Sequence, residues 1–311
     1  MTDSPDVDVV VATRDRPELL RSTISAILAS DYSGSVRVLV VYDQSPPNPA
    51  LESDASLGVA GDLRRVTVLT NTRTPGLAGA RNSGLLAAEA ELVAFCDDDD
   101  TWLPDKLRTQ VDALHDEPTA ELVCCGIDVH YAGGSHQRVL EQRIITMNDL
   151  IKDRLTELHP STFVMRRKAV IDGFGLVEEE IPGSYAEDYE FLLRAARSHP
   201  VVNVPQVGVT VLWSEGSYFT GRWTTIRTAL PWLLDRYPEF AEVSAGEARV
   251  LGQIAFATAA DHKRRAGARW AMRSLRRRPV EPRAYLALGV AAGILSPDWV
   301  IRQLHRTGRG L

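Results

Sequence analysis

The chain has 311 residues, 44% hydrophobic and 24% charged, a balance that excludes a disordered chain and accommodates one sizeable α/β domain with an appendage. The formal net charge of −6 is unevenly placed: residues 263–311 carry 12 Lys/Arg against 2 Asp/Glu, a net of +10, and residues 1–262 carry −16. Such a tail seeks anionic surfaces, whereas no nucleic-acid partner is expected. Cys96, Cys124 and Cys125 form no metal-ligand or disulfide pattern and read as buried thiols of a reducing cytosol. The acidic start, Met1 to Asp6, lacks a signal peptide's apolar core, which points to a cytoplasmic protein.

Four nearly continuous apolar runs, Val7 to Ala12, Val36 to Tyr42, Val66 to Thr70 and Leu92 to Cys96, predict strands buried on both faces. Pro17 to Ala29 and Leu77 to Glu89 predict helices between them, the first with proline in its opening turn and Leu20, Ile24, Ile27 and Leu28 on one face. Strand and helix in alternation imply a mostly parallel sheet with right-handed crossovers. Leu122 to Gly126 predicts a further strand, His130 to Gly134 a hairpin turn, and Ser161 to Met165 another strand. Ala186 to Arg194 opens an amphipathic helix with acids in its first turn. From about Arg222 the pattern is helical to the end, so a boundary is expected between 215 and 225, dividing 1–220 from a basic, helical 221–311. Tyr285 to Leu295, the longest apolar stretch of that tail, is shorter than the ~20 residues a bilayer span needs.

Ligands of open α/β sheets bind beyond the carboxyl ends of the strands, so the residues after each strand carry the chemistry. These are Thr13-Arg14-Asp15-Arg16, Asp43-Gln44-Ser45, Asn71 with Gly76, and the run Asp97-Asp98-Asp99-Asp100. Four adjacent carboxylates at the mouth of a buried strand cannot all stay ionised without a counter-charge, and a hard divalent cation resolves the conflict. Gly76 to Gly84 is glycine-rich but is neither G-x-G-x-x-G nor a Walker A sequence, which argues against dinucleotide and P-loop readings. Arg81, early in its helix, is placed to pair with a phosphate. His159 either reaches a metal or acceptor or is a satisfied structural histidine, and Trp102 and Trp213 either stack on a ligand or fill the core.

These turns resemble family 2 glycosyltransferases of the GT-A fold, a Rossmann-like, mostly parallel sheet with flanking helices. The matching elements are Val9 to Arg16, Val40 to Ser45, Ala80-Arg81-Asn82, Phe95 to Asp100, Trp102 to Leu107 and Glu187-Asp188, covering residues 7 to about 215. The resemblance implies that Ala12, Thr13, Arg14, Asp15, Asp43, Gly76, Arg81, Asp97 and Asp98 bind a nucleotide-diphosphate sugar. It also implies that Asp99 and Asp97 hold Mn²⁺ or Mg²⁺, and that Asp188, with Glu187 second, removes the proton of a hydroxyl acceptor on a glycan or glycolipid. Inversion at the anomeric carbon is the expected outcome. Tyr42 stands where an acid is common, and Arg14 and Gln44 replace the more usual aromatic and glycine, departures that bear on the nucleotide. Two other functions compete: Asp97-x-Asp99-x-Thr101 resembles the phosphatase motif of the haloacid dehalogenase superfamily, and the same fold serves a non-catalytic nucleotide-sugar-binding module. The basic tail implies a peripheral place on the inner face of the cell membrane, or packing on the protein, and an oligomer stays open.

Overall fold

The computed structural model describes residues 4–131, 134–213 and 221–306. The strands are β1 (Val7–Thr13), β2 (Val36–Tyr42), β3 (Arg64–Thr70), β4 (Leu92–Asp97), β5 (Thr101–Trp102), β6 (Leu122–Tyr131), β7 (Gly134–Arg138), β8 (Ile144–Ile145), β9 (Val164–Arg166) and β10 (Val201–Leu212). The helices are α1 (Pro17–Leu28), α2 (Leu77–Ala87), α3 (Lys106–Asp116), α4 (Met147–Lys152), α5 (Glu187–Ser198), α6 (Trp223–Arg236), α7 (Ser244–Ala260), α8 (Arg264–Arg277), α9 (Pro282–Ala291) and α10 (Pro297–Arg306).

The sheet runs in the order β3-β2-β1-β4-β9-β6-β10-β5, with β7 on β6 and β8 on β10. As the apolar runs require, β3, β2, β1 and β4 are parallel and joined through α1 and α2. Their register sets Ala12 beside Asp97 and Thr13 beside Tyr42, so the turns after these strands meet at one edge. The interruption is β9, antiparallel to both β4 and β6. It is shorter than predicted because Pro160–Thr162 forms a 3₁₀ turn, in which Thr162 Oγ1 donates to the His159 carbonyl at 2.7 Å. A side chain that bonds its own backbone competes with strand pairing. The strand β10 has no counterpart among the predicted elements. It contains Pro205 and Gly208, and the register shifts between Val204, Val207 and Val209 show how a bulged strand accommodates them. Of the predicted hairpin turn, His130 and Tyr131 extend β6 and Gly134 opens β7, while residues 132–133 lie outside the described ones.

The chain divides into two compact units. The first comprises Met1–Met147, Leu155–Glu179 and Glu187–Ser214; the second comprises Asn148–Arg154, Glu180–Ala186 and Glu215–Leu311. The second is helical, and its α7 is buried along most of its length by small residues that let other helices approach closely. A Cβ at Gly267 of α8 would lie 2.8 Å from that of Ala259, and Ser274 Oγ donates to the Ala248 carbonyl at 2.7 Å. Among the described residues no helix is long and apolar enough to cross a membrane.

In the first unit Lys106 is fully buried, with Nζ 3.7 Å from the Trp102 ring centroid and no hydrogen-bond partner among the described residues. Burial pushes its pKa from 10.5 down to about 8. The folded chain therefore binds fewer protons than the unfolded one between pH 8 and 10.5, and the cost of the buried charge, full below pH 8, is lifted across that window. Urea melts should show the stability of Lys106→Met relative to the native chain falling by about 1.4 kcal/mol per pH unit there. A pH-independent difference would mean that Lys106 keeps its ordinary pKa in the folded chain and that burial does not penalise its charge.

Candidate active site

Four acids leave β4 in a tight turn closed by the Asp100 amide donating to the Asp97 carbonyl at 3.2 Å, and the turn sends their side chains to different partners. Asp98 accepts from Thr13 Oγ1 at 2.7 Å and from Arg16 Nη1 at 3.1 Å. The same Arg16 nitrogen lies 2.8 Å from Asp99. Asp100 turns inward, accepting from Ser161 Oγ at 2.5 Å, with His159 Nδ1 3.4 Å away. Asp97 takes Arg81 Nη2 at 2.6 Å, and His159 Nε2 stands 4.0 Å from its other oxygen. Burial first, then the negative charge of Asp97, raises the Asp100 carboxyl well above the usual range and that of Asp99 less strongly. This is the like-charge conflict a cation relieves.

Asp97, Asp100 and His159 each offer one ligand atom, all within 4.8 Å of one another. Two carboxylates and an imidazole suit a borderline-hard divalent ion such as Mn²⁺. Of the expected ligands, Asp97 belongs to this group. Asp99, the other, lies 2.8 Å from Arg16, and Asp100 and His159 are the remaining members of the group.

Arg81, expected to meet a phosphate, lies between two carboxylates. Only 3% exposed, it joins Asp97 to Glu187, whose Oε1 lies 3.2 Å from Nη1, while its guanidinium sits 5.4 Å from the Phe95 ring centroid. Phe191 of α5 packs on that ring at 5.8 Å, which docks the first turn of α5, and with it Glu187 and Asp188, beside the acidic turn. Burial above all, with the charge of Asp188 next, lifts the Glu187 carboxyl to about 7 against the pull of Arg81. The charge of Asp188 also reaches His159.

On the other side, Asp43 is buried and accepts from Asn71 Nδ2 at 2.8 Å, Gln44 Nε2 at 2.9 Å and the Gly76 amide at 3.1 Å. Burial opposes its ionisation, yet these donors and the nearby Arg14 hold its pKa below the ordinary value. Gln44 has φ 54, a left-handed conformation that glycine adopts at no steric cost; glutamine here gains a bond to Asp43. Asp15 and Ala186, flanking Arg14 and Glu187, are likewise left-handed, with φ 55 and 67. Backbone strain of this kind gathers at ligand sites. Gly76, at φ 123, is where the chain turns into α2.

Residues 8–174, more than half of the chain, match the family model described as Glycosyl transferase family 2. This chain belongs to that family. A succinoglycan biosynthesis protein, ExoO, of Rhizobium meliloti is 33% identical over 44% of this chain and 38% of the relative. An Escherichia coli UDP-Glc:alpha-D-GlcNAc-diphosphoundecaprenol beta-1,3-glucosyltransferase, WfgD, is 31% identical over 35% of this chain and 40% of its own length. The chain thus spans well under half of these relatives. S. aureus TarS 1–349 in complex with UDP-GlcNAc superposes with a TM-score of 0.63 at 17% identity, covering 98% of this chain and 92% of that one. The Pyrobaculum calidifontis mannosyltransferase PcManGT, in complex with GDP-Man and Mn²⁺, gives a TM-score of 0.60 at 18% identity over 96% of this chain and 83% of the other. Both likenesses show the fold, a mixed α/β sheet of GT-A type carrying a helical C-terminal region.

The family match leaves the phosphatase alternative without support. Trp102 is core and scaffold: its Nε1 donates to the Ser161 carbonyl at 3.0 Å, holding the His159 turn in place. Trp213 lies under Arg138 at 4.5 Å. Arg16, Asp100 and Ser161 went unassigned from sequence, and only the unbroken aspartate run hinted at Asp100.

Proposed function

We propose that this chain transfers a sugar from a nucleotide-diphosphate sugar to a hydroxyl of a glycan or glycolipid, with inversion at the anomeric carbon and with Mn²⁺ or Mg²⁺, in cell-surface polysaccharide synthesis. The observation that carries the reading is the Asp97-Asp100-His159 group beside Glu187 and Asp188 at the carboxyl edge of the sheet. The names of ExoO and WfgD support the pathway class, and the ligands in the titles of TarS and PcManGT support the donor class.

In this reading Asp43 meets the base, with Ala12, Thr13, Arg14, Asp15 and Gly76 around the nucleoside and Asp97 and Asp98 toward ribose and diphosphate. Asp97, with Asp100 and His159 or with Asp99, would hold the divalent ion. When bound, that ion reverses the sign of an acidic pocket for an anionic diphosphate and stabilises the leaving group. Asp188 accepts the proton of the acceptor hydroxyl, the hydroxyl oxygen bonds to the anomeric carbon, and the bond from that carbon to the diphosphate oxygen breaks. Glu187 and Arg81 hold Asp188 in position. Residues 1–220 form the catalytic part and 221–311 an appended basic part, at the cytoplasmic face of the cell membrane where such acceptors are found.

Thermal denaturation with nucleoside diphosphates and sugar nucleotides, with Mn²⁺ and with chelator, tests the donor class. Ligand at a hundred times its Kd stabilises by about 2.7 kcal/mol, hence several degrees. A shift that needs both nucleotide and Mn²⁺ is expected. No shift with any nucleoside diphosphate sinks the reading, and an equal shift in chelator sinks its metal dependence.

A further inference from the structure

We infer that the second unit carries a docking surface for an anionic lipid bilayer, built on the outer face of α8. Arg265, Arg269, Met272 and Arg276 follow one another at intervals of four, three and four residues, which at helical pitch is one stripe, and Arg273 borders it. All five are exposed, while Gly267, Ala271 and Ser274 on the opposite face are buried. None of the four arginines has a carboxylate partner among the described residues, in contrast to Arg277, which pairs with Glu247. Burying the far side of α8 fixes the stripe in advance, so little ordering is needed on contact.

Apolar side chains stand near both ends of α8. At its carboxyl end the turn into α9 presents Val280, 70% exposed, with Tyr285 tied to it through a hydrogen bond from its hydroxyl to the Pro279 carbonyl at 2.6 Å. At its amino end Arg264 Nη1 lies 3.6 Å from where a Cβ of Gly293 would be, and the next residue, Ile294, is 79% exposed. A solvated arginine face needs no such apolar flanks. A bilayer surface uses both, the phosphates meeting guanidinium groups and the interfacial zone taking the apolar tips. A purely polyanionic partner would meet the charge and leave Val280 and Ile294 in water, so the bilayer is the occupant these residues fit.

Co-sedimentation of the full chain with vesicles of phosphatidylglycerol and phosphatidylcholine tests this independently of sugar transfer. At low ionic strength the native chain should pellet with these vesicles and stay in solution with phosphatidylcholine alone. Each basic residue near an anionic leaflet is worth about fivefold in partition, so replacing Arg265, Arg269, Arg273 and Arg276 by alanine should weaken binding by at least about a hundredfold. Circular dichroism should be unchanged and the melting temperature nearly so, because all four side chains are exposed and the contact given up, Arg273 over the Trp270 ring at 4.3 Å, lies at the surface of α8. Val280→Ser with Ile294→Ser should retain binding at low salt but release at lower NaCl than the native chain. The proposal is overturned if the native chain ignores anionic vesicles, if it binds neutral ones equally, or if the four-alanine variant binds within about twofold of native. It is equally overturned if the only effect of that variant is to change the sedimentation coefficient, which would make the face a contact between copies of the chain.

Discussion

Replacing Asp188 by asparagine is expected to lower kcat by about two to four orders of magnitude, the worth of a positioned general base, while Kd for the donor stays within about twofold. Asparagine keeps the shape and the hydrogen-bonding reach of the side chain but cannot hold the acceptor's proton in the transition state. Steady-state kinetics with donor and acceptor, together with calorimetric donor titration, separate the two quantities. Near-normal kcat in Asp188→Asn would remove the role from this residue. Glu187 is a weaker choice, being fully buried, held by Arg81, and with a pKa pushed up to about 7 by that burial and by Asp188. Its expected effect when changed to glutamine is on the placement of Asp188, and so smaller on kcat.

Arg81→Met should destabilise the fold by about 3–5 kcal/mol, because it leaves two carboxylates of the site without the buried cation they share. The arginine is 4% exposed in its side chain and contacts Asp97 at 2.6 Å and Glu187 at 3.2 Å. Glu187 gives the loss a pH signature. Its folded pKa already lies above the ordinary 4.5, so its contribution is fully present below pH 4.5 and is lost as pH rises through about 7. Without Arg81 that folded pKa climbs further, so the two chains lose stability in parallel up to about pH 7, and the difference between variant and native chain should grow only above it in urea melts. Arg81→Lys restores one charge but not both contacts, so it should fall between the two. A destabilisation under ~1 kcal/mol, or one that shrinks with rising pH, would show that the ion pairs are not the device that holds α5 beside β4.

The parallel half of the sheet was legible in the chain. Val7, Val9, Val10 and Val11 are buried in β1, as a continuous apolar run predicts, and parallel pairing then delivers Thr13, Asp43 and Asp97 to a common edge. Glycine at 76 and the acids opening α5 were readable for the same local reason. The strand β10 was hidden because Pro205 and Gly208 break the pattern and only its bulged pairing with β6 rescues it. The 3₁₀ turn at Pro160 was hidden by apolar residues that resemble a strand.

What the sequence by itself determined is that several acids stand together at the carboxyl edge of a buried parallel sheet, since burial periodicity and strand direction are encoded in neighbouring residues. What the tertiary structure alone decided is which acid does what. Asp98 is held by Thr13 and Arg16, Asp99 by Arg16, Asp100 by Ser161 and Asp97 by Arg81. Those partners come from segments far away along the chain, and in a turn of four identical residues no local preference distinguishes one carboxylate from the next. Only the long-range hydrogen bonds and the like-charge repulsion between neighbours select an arrangement, and both exist only once the distant segments have met.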